Sequence, residues 1–226
     1  MYIFLLNRTE RVDGPTLFSK SGNIRTNIAL ITAQYANIKL NVSADLPSST
    51  FITNKVRLNC VVEVEFAIWI LLDWLCIIQK LPALSVGDVT ISGISSIALF
   101  LAPKPLKGSN SLEEAQILQW INLAEHEILP AVLALIDTSA AAKPSQNRAR
   151  QEILHYLEVL NTVLLTRTYL VGETVTLADI SVVCTLVPVF QRVMDAATRS
   201  KLSNVLRWFN TITPQPNVKQ VLGDAK

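Results

Sequence analysis

The chain has 226 residues, of which 50% are hydrophobic and 17% charged; this excludes a disordered or polyelectrolyte chain and leaves enough length to bury a core without disulfide staples. With 20 basic and 18 acidic side chains the formal charge is +2, too small for the electrostatic footprint of a general nucleic-acid binder. Three cysteines, Cys60, Cys76 and Cys184, form no CxxC, and the only histidines, His126 and His155, sit in no HExxH. A disulfide framework, a zinc site and a His-based triad therefore have little to build from, and a reducing, cytoplasmic setting is expected.

The apolar start, Met1 to Leu6, is broken by Asn7, Arg8, Glu10 and Arg11 and lacks the basic lead and longer apolar run of a secretory signal. The stretch from Cys60 to Ile78 nearly has the length of a membrane span, but Glu63, Glu65 and Asp73 interrupt it. Asp73 near the centre would cost about 2.5–3.5 kcal/mol on insertion, so no membrane association is expected.

From residue 16 the pattern becomes regular. Thr16–Ser19 and Lys39–Ser43 read as strands, and between them Ile24, Ile28, Ile31 and Tyr35 fall on one helical face; strand, helix and strand together have the size of a βαβ unit. Pro82–Val86 and Val89–Ser92 read as two strands joined near Gly87 and Asp88. A helix follows with Ile94, Ile97, Ala98 and Leu101 inward, ending before Pro103. The breakers of residues 103–109 make a linker.

Everything beyond reads as helix. Ser111 and Glu114 form an S-x-x-E capping box, and Leu118, Ile121, Ile128, Val132 and Ile136 give the apolar stripe behind it, with a kink expected at Pro130. A second helix places Ile153, Leu157, Leu160 and Leu164 on one face. The third opens on Thr176-Leu177-Ala178-Asp179, in which Thr176 caps the amide three residues on and the Asp179 carboxylate reaches back to the Thr176 amide. Val175 and Ile180 are placed as a hydrophobic staple, and the residues after Ile180 are apolar all round, as a central buried helix requires. Capping accounts for Asp179 without a catalytic role. A last amphipathic helix turns Leu202, Val205, Leu206, Phe209 and Ile212 inward, before Pro214, Pro216 and a final turn over Asn217–Leu222 with Gly223.

The run from Tyr169 through Asp179 to Leu186 resembles the helical domain of glutathione-transferase-fold proteins. With Val205-Leu-Arg-Trp-Phe209, Pro216, Val221-Leu-Gly223 and Ile28-Ala-Leu-Ile31, it is similar more narrowly to the N-terminal glutathione-transferase-like region of the translation elongation factor 1 gamma family. The resemblance implies an α/β thioredoxin-like domain over residues 16–102 and an all-α glutathione-transferase C-terminal domain over residues 110–226. It implies a non-catalytic scaffold that holds the nucleotide-exchange subunits of the elongation factor 1 complex, with a homodimer through the fold as a further expectation. It also implies a C-terminal domain beyond a Lys-rich linker in family members, which this chain does not include. The alternative is a glutathione transferase that conjugates glutathione to electrophiles.

In this fold the γ-glutamyl carboxylate of glutathione meets the start of the helix after the last strand, where the family has a Glu-Ser pair and helix-start amides favour an anion. Ungapped, this sequence has Gly93-Ile94 there, so the anchor is degraded; Ser95 and Ser96 either substitute in a shifted register or are ordinary helix-start residues. Leu81-Pro82 matches the family's Val-Pro, whose cis proline exposes the preceding backbone to the cysteinyl unit. For the hydroxyl that would stabilise the thiolate the candidates are Ser19 and Ser21, with Arg25 in the adjacent helix. No metal site is expected, and no cofactor beyond a weakly anchored glutathione.

Two segments depart from the family. Residues 1–15 have no counterpart, and residues 56–79, with Trp69 and Trp74 in a dense apolar run, replace a shorter, more polar segment. As a helix the insert would expose a patch fit for a partner or prone to aggregation. It also starts at a Val and ends at a Gln, as a retained intron read as protein could, which would make the chain a non-functional product; low order is expected there on either view.

Overall fold

A computed structural model describes residues 14–20, 22–44, 81–87, 89–137, 143–192 and 194–223. The insert at residues 56–79, the extension before Gly14 and the candidate Ser21 lie outside the described residues. Among the described residues four strands make one mixed sheet: β1 (Thr16–Phe18), β2 (Asn41–Ser43), β3 (Ala83–Val86) and β4 (Val89–Ser92), in the order β2-β1-β3-β4. β1 runs parallel to β2 and antiparallel to β3, and β3 pairs antiparallel with β4. Helix α1 (Ile24–Tyr35) is the crossover between β1 and β2, and α2 (Ile94–Leu101) follows β4. Leu17 and Leu84, at the centre of the sheet, are fully buried. The sequence expectation of a small α/β unit with one sheet, followed by helices only, is what the structure has.

The helical part comprises α3 (Ser111–Leu123), a π-helical turn (Ala124–Ile128), α4 (Leu129–Ile136), α5 (Lys143–Val163), α6 (Leu177–Arg192), α7 (Ala196–Lys201), α8 (Ser203–Ile212) and α9 (Pro216–Leu222). α6 is the axis: from Leu177 to Val187 every residue is buried, which an apolar surface all round the helix requires. Helix α1 joins the layers. It packs on α2 on one side and on α6 and α9 on the other, and Ile28, Ala29, Ile31, Thr32 and Ala33 are all buried. The small side chains of Ala29 and Ala33 let neighbouring helices approach closely.

Three local expectations change. Asn110, not Ser111, caps α3: its Oδ1 accepts from the Glu113 amide at 3.0 Å, while the Glu113 carboxylate takes the Ser109 amide at 2.8 Å. The box is thus one residue earlier, and Asn serves as well as Ser at this position. The apolar stripe of α3 runs through Ile117 and Ile121, with Leu118 37% exposed. The change of phase comes from the π-helical turn and not from Pro130, which sits in the first turn of α4, where no intrahelical amide is needed. The short α7 has no counterpart in the sequence reading; with six residues it carries no period, and Asp195, whose carboxylate accepts from the Thr198 amide at 2.7 Å, is its one signal.

Candidate functional site

The strand registers decide which residues meet. Phe18 pairs with Ser43 and with Ala83, and Ala83 pairs with Ser92. Ser19, Ser43, Pro82 and Gly93 therefore gather at one end of the sheet. This is the carboxyl end of the parallel pair, where open α/β sheets place their ligands. Both α1 and α2 begin there, after Asn23 and Gly93.

Ser19 is only 4% exposed. Its hydroxyl faces the Thr26 hydroxyl and the Lys20 carbonyl, the latter at 3.3 Å. Arg25, the second residue of α1, pairs with Glu125 of the π-helical turn, Nε to Oε1 at 2.6 Å, with the two side chains 30% and 18% exposed. Asn23 caps α1 by accepting from the Arg25 amide at 3.1 Å, and its side-chain amide donates to the Leu81 carbonyl at 3.4 Å. The Leu81–Pro82 bond is cis, and Pro82 is buried.

At the start of α2, Gly93 lies at φ 85°, ψ 129° and offers no side-chain cap. Ile94 is 2% exposed and faces the core; Ser95 is half-buried and Ser96 exposed. A side chain at position 93 would hold an L-residue in the left-handed region at a cost of about 1–3 kcal/mol, a strain retained where a ligand makes use of it. Glycine removes the strain together with the carboxylate.

Among the described residues, the positions expected to meet the amine and carboxylate of glutathione are Gly93 and Ile94, the Ser19 hydroxyl is nearly buried, and the Leu81 carbonyl accepts a hydrogen bond from Asn23. Among the described residues no cluster of three or more His, Cys, Asp or Glu side chains is placed to hold a metal, and no helix is long and apolar enough to cross a membrane. Cys184 is fully buried in α6, and burial pushes its thiol pKa up, away from reactivity.

Thr176 and Asp179 form a separate polar centre inside the helical part. Asp179 has no exposed surface. Its Oδ2 accepts from the Thr176 amide at 3.0 Å and from the Thr176 hydroxyl at 3.1 Å; its Oδ1 accepts from the Leu170 amide at 3.0 Å and from the Trp208 indole at 2.8 Å. Desolvation raises the carboxyl pKa, and the four donors pull against that rise. The Thr176 hydroxyl thus donates to the carboxylate. The cluster joins the start of α6, the loop before it and α8, and every donor is satisfied by structure.

Three residues that shape these two places, Asn23, Thr26 and Glu125, were not singled out in the sequence, and a fourth, Trp208, entered only as part of the Val205–Phe209 motif. Asn23 had a local signal, an Asn directly before a periodic apolar run. Thr26 had none beyond its place in the first turn of α1. Glu125 and Trp208 act on residues 100 and 29 positions away, and no pattern in the chain marks either contact.

Residues 123–216 match the family of the glutathione S-transferase C-terminal domain. Elongation factor 1-gamma of Artemia salina is 37% identical over 215 residues, which cover 93% of this chain and 46% of that protein; the goldfish Carassius auratus protein of the same name is 35% identical with the same coverage. The chain thus spans about half the length of these curated relatives. Among solved structures, the GST-like domain of elongation factor 1-gamma from Saccharomyces cerevisiae superposes with a TM-score of 0.69 at 20% identity, covering 94% of each chain. Glutathione transferase URE2P6 from Phanerochaete chrysosporium, in complex with oxidized glutathione, also gives 0.69, at 17% identity and covering 94% of this chain and 96% of its own. The chain has the glutathione-transferase fold, and over nearly its whole length its sequence is similar to elongation factor 1-gamma.

Proposed function

We propose that this chain is the glutathione-transferase-like part of a translation elongation factor 1 gamma subunit, acting as a non-catalytic scaffold that holds the nucleotide-exchange subunits. The observation that carries the reading is 37% identity to elongation factor 1-gamma over 93% of the chain. Gly93 and Ile94 at the expected anchor and the burial of Ser19 support the non-catalytic part.

A scaffold needs a face for protein, and α3 with α5 offers one. From Ala115 to Ala124 the helix carries no charged residue. Leu112 is 70% exposed, Leu118 37% and Val159 42%. Beside them Trp120, Leu123, Val159 and Val163 line a groove of about 520 Å³, with Gln119, Asn122, His126 and Glu127 as its polar members. Exposed apolar surface of this kind marks association sites. Exchange subunits are the proposed occupants, with a second copy of the chain, as a homodimer, the competing one; the reading places the protein in the cytoplasm.

Co-purification with the exchange subunits tests the proposal. The tagged chain should retain them, and a Leu118→Glu/Val159→Glu variant that still folds should lose them or fall from dimer to monomer. A chain that ignores the exchange subunits and turns over a generic electrophile with glutathione would replace this reading with the transferase.

A further inference from the structure

We infer that the groove between α3 and α5 takes a basic amphipathic helix, one with an apolar stripe bordered by lysine or arginine side chains. The inference rests on the scaffold reading and supplies the chemistry of the segment that an exchange subunit would present there.

The apolar part of the groove follows from helical spacing. Trp120 and Leu123 on α3 and Val159 and Val163 on α5 line it. The members of each pair are three or four positions apart and so share one face of their helix. The core takes the neighbouring positions: Ile117 and Ile121 on α3 and Leu157, Leu160 and Leu164 beside them are buried. Toward the start of α3 the groove continues between Gln116 and Gln119 on one side and Thr162 and Thr166 on the other. From Gln116 to Glu127 it is about 17 Å long at 1.5 Å per residue, the length of a three-turn helix.

The occupant follows from charge. Residues 111–128 and 151–163, which build the two walls, hold six carboxylates and no lysine or arginine, in a chain whose net charge is +2. Two of the six are matched by a cation: Glu125 by Arg25 at 2.6 Å and Glu152 by Arg148 at 2.9 Å. Glu127 lines the groove itself and takes the Tyr156 hydroxyl at 3.3 Å, a neutral donor that leaves its charge in place. Glu113 takes the Ser109 amide, again a neutral donor, and Glu114 and Glu158 are exposed. A cation joins the described lining only at the far end, with Arg167.

An apolar cleft with charge of one sign along its walls concentrates its field and draws the opposite charge. A basic helix lays its apolar stripe on Trp120, Leu123, Val159 and Val163, and its long cationic side chains reach the carboxylates while their stems cover apolar surface. An acidic helix is repelled there. A second copy laid on this face through the same face would set the six carboxylates against their own counterparts.

The probe is a fluorescein-labelled amphipathic peptide of leucine and lysine, about 18 residues long so that it can form a helix, with a leucine and glutamate peptide of the same pattern as its counterpart. Each is titrated by anisotropy into the full 226-residue chain. The lysine peptide should bind with a Kd on the order of 10 μM, weaken with added salt, and exceed the glutamate peptide by at least about tenfold. Val159→Lys, at an exposed position that the fold tolerates, should cost about tenfold, and Glu127→Gln about threefold. Leu133→Glu, on α4 and outside the groove, should leave binding unchanged. No binding below about 1 mM, equal binding of the two peptides, or equal binding by Val159→Lys would overturn the inference. So would a dimer in light scattering that Val159→Lys dissolves, because a second copy would then cover the groove. Retention of exchange subunits by the same proteins separates the two readings. Wild type that binds the lysine peptide but ignores the subunits defeats the scaffold alone. Subunits retained equally by wild type and Val159→Lys defeat the groove alone.

Discussion

Replacing Asp179 with Ala tests whether the buried carboxylate holds the helical part together. The side chain has no solvent exposure and accepts from three N–H groups and one hydroxyl. Truncation leaves the Leu170 and Thr176 amides and the Trp208 indole without their acceptor. At about 1–3 kcal/mol for each buried unsatisfied donor, the gross cost is about 3–9 kcal/mol. Against this, the variant no longer desolvates a carboxylate, the same burial that raises the Asp179 pKa, and water can enter the space left. The net loss should be about 3–5 kcal/mol, in the range seen when a buried polar network is broken. Urea unfolding followed by tryptophan fluorescence and by far-UV circular dichroism measures it. Asp179→Asn keeps one acceptor oxygen and should fall between wild type and Ala. Trp208→Phe removes a single donor and should cost about 1–2 kcal/mol. A loss below about 1 kcal/mol in Asp179→Ala, or a loss larger in Trp208→Phe than in Asp179→Ala, would refute the reasoning, since the donors would then be finding other partners.

Gly93→Ala meets no heavy atom within 4 Å of the added carbon but keeps φ at +85°, so its cost of about 1–2 kcal/mol should be purely conformational and show in the unfolding midpoint without a change in fold. Asn161→Ala should cost about 1–2 kcal/mol, because its Oδ1 accepts from the Asn204 and Val205 amides at 3.0 and 3.3 Å and so caps α8 from a neighbouring helix; a smaller loss would mean that water serves that helix start equally well. Burial raises the Tyr35 pKa above its ordinary value of 10.0. The unfolded phenol therefore ionises first, and the stability Tyr35 contributes is present below pH 10 and lost as pH rises through the higher folded value. Stability against pH should accordingly fall less steeply above pH 10 in Tyr35→Phe than in wild type, and identical slopes would count against the burial argument.

The class of the fold is legible in the chain alone, because helix and strand periods are local. The faces carrying Ile28 and Ile31, Ile153 and Leu157, and Val205 and Phe209 could each be read from spacing alone, and each is buried. The start of α6 was legible in part: the Asp179 carboxylate takes the Thr176 amide as the spacing predicts, but the Thr176 hydroxyl, expected to cap the Asp179 amide, donates to that carboxylate. At the sheet end the sequence marked Gly93 and Ile94 as a missing anchor, but not that Gly93 sits at a positive φ.

How these parts meet is set by the packing of the elements in space. Trp208 and Leu170 converge on Asp179, Glu125 strikes Arg25, and Asn161 caps a helix that follows Leu202, a residue with no acceptor in its side chain. A repeating pattern fixes which side of an element avoids water, but not the angle or depth at which two elements cross. A polar contact between them depends on that crossing to within a fraction of an ångström. The turn at Ala124–Ile128 carries the Glu125 carboxylate that accepts from Arg25, 100 positions earlier in the chain, and no count of apolar positions records it.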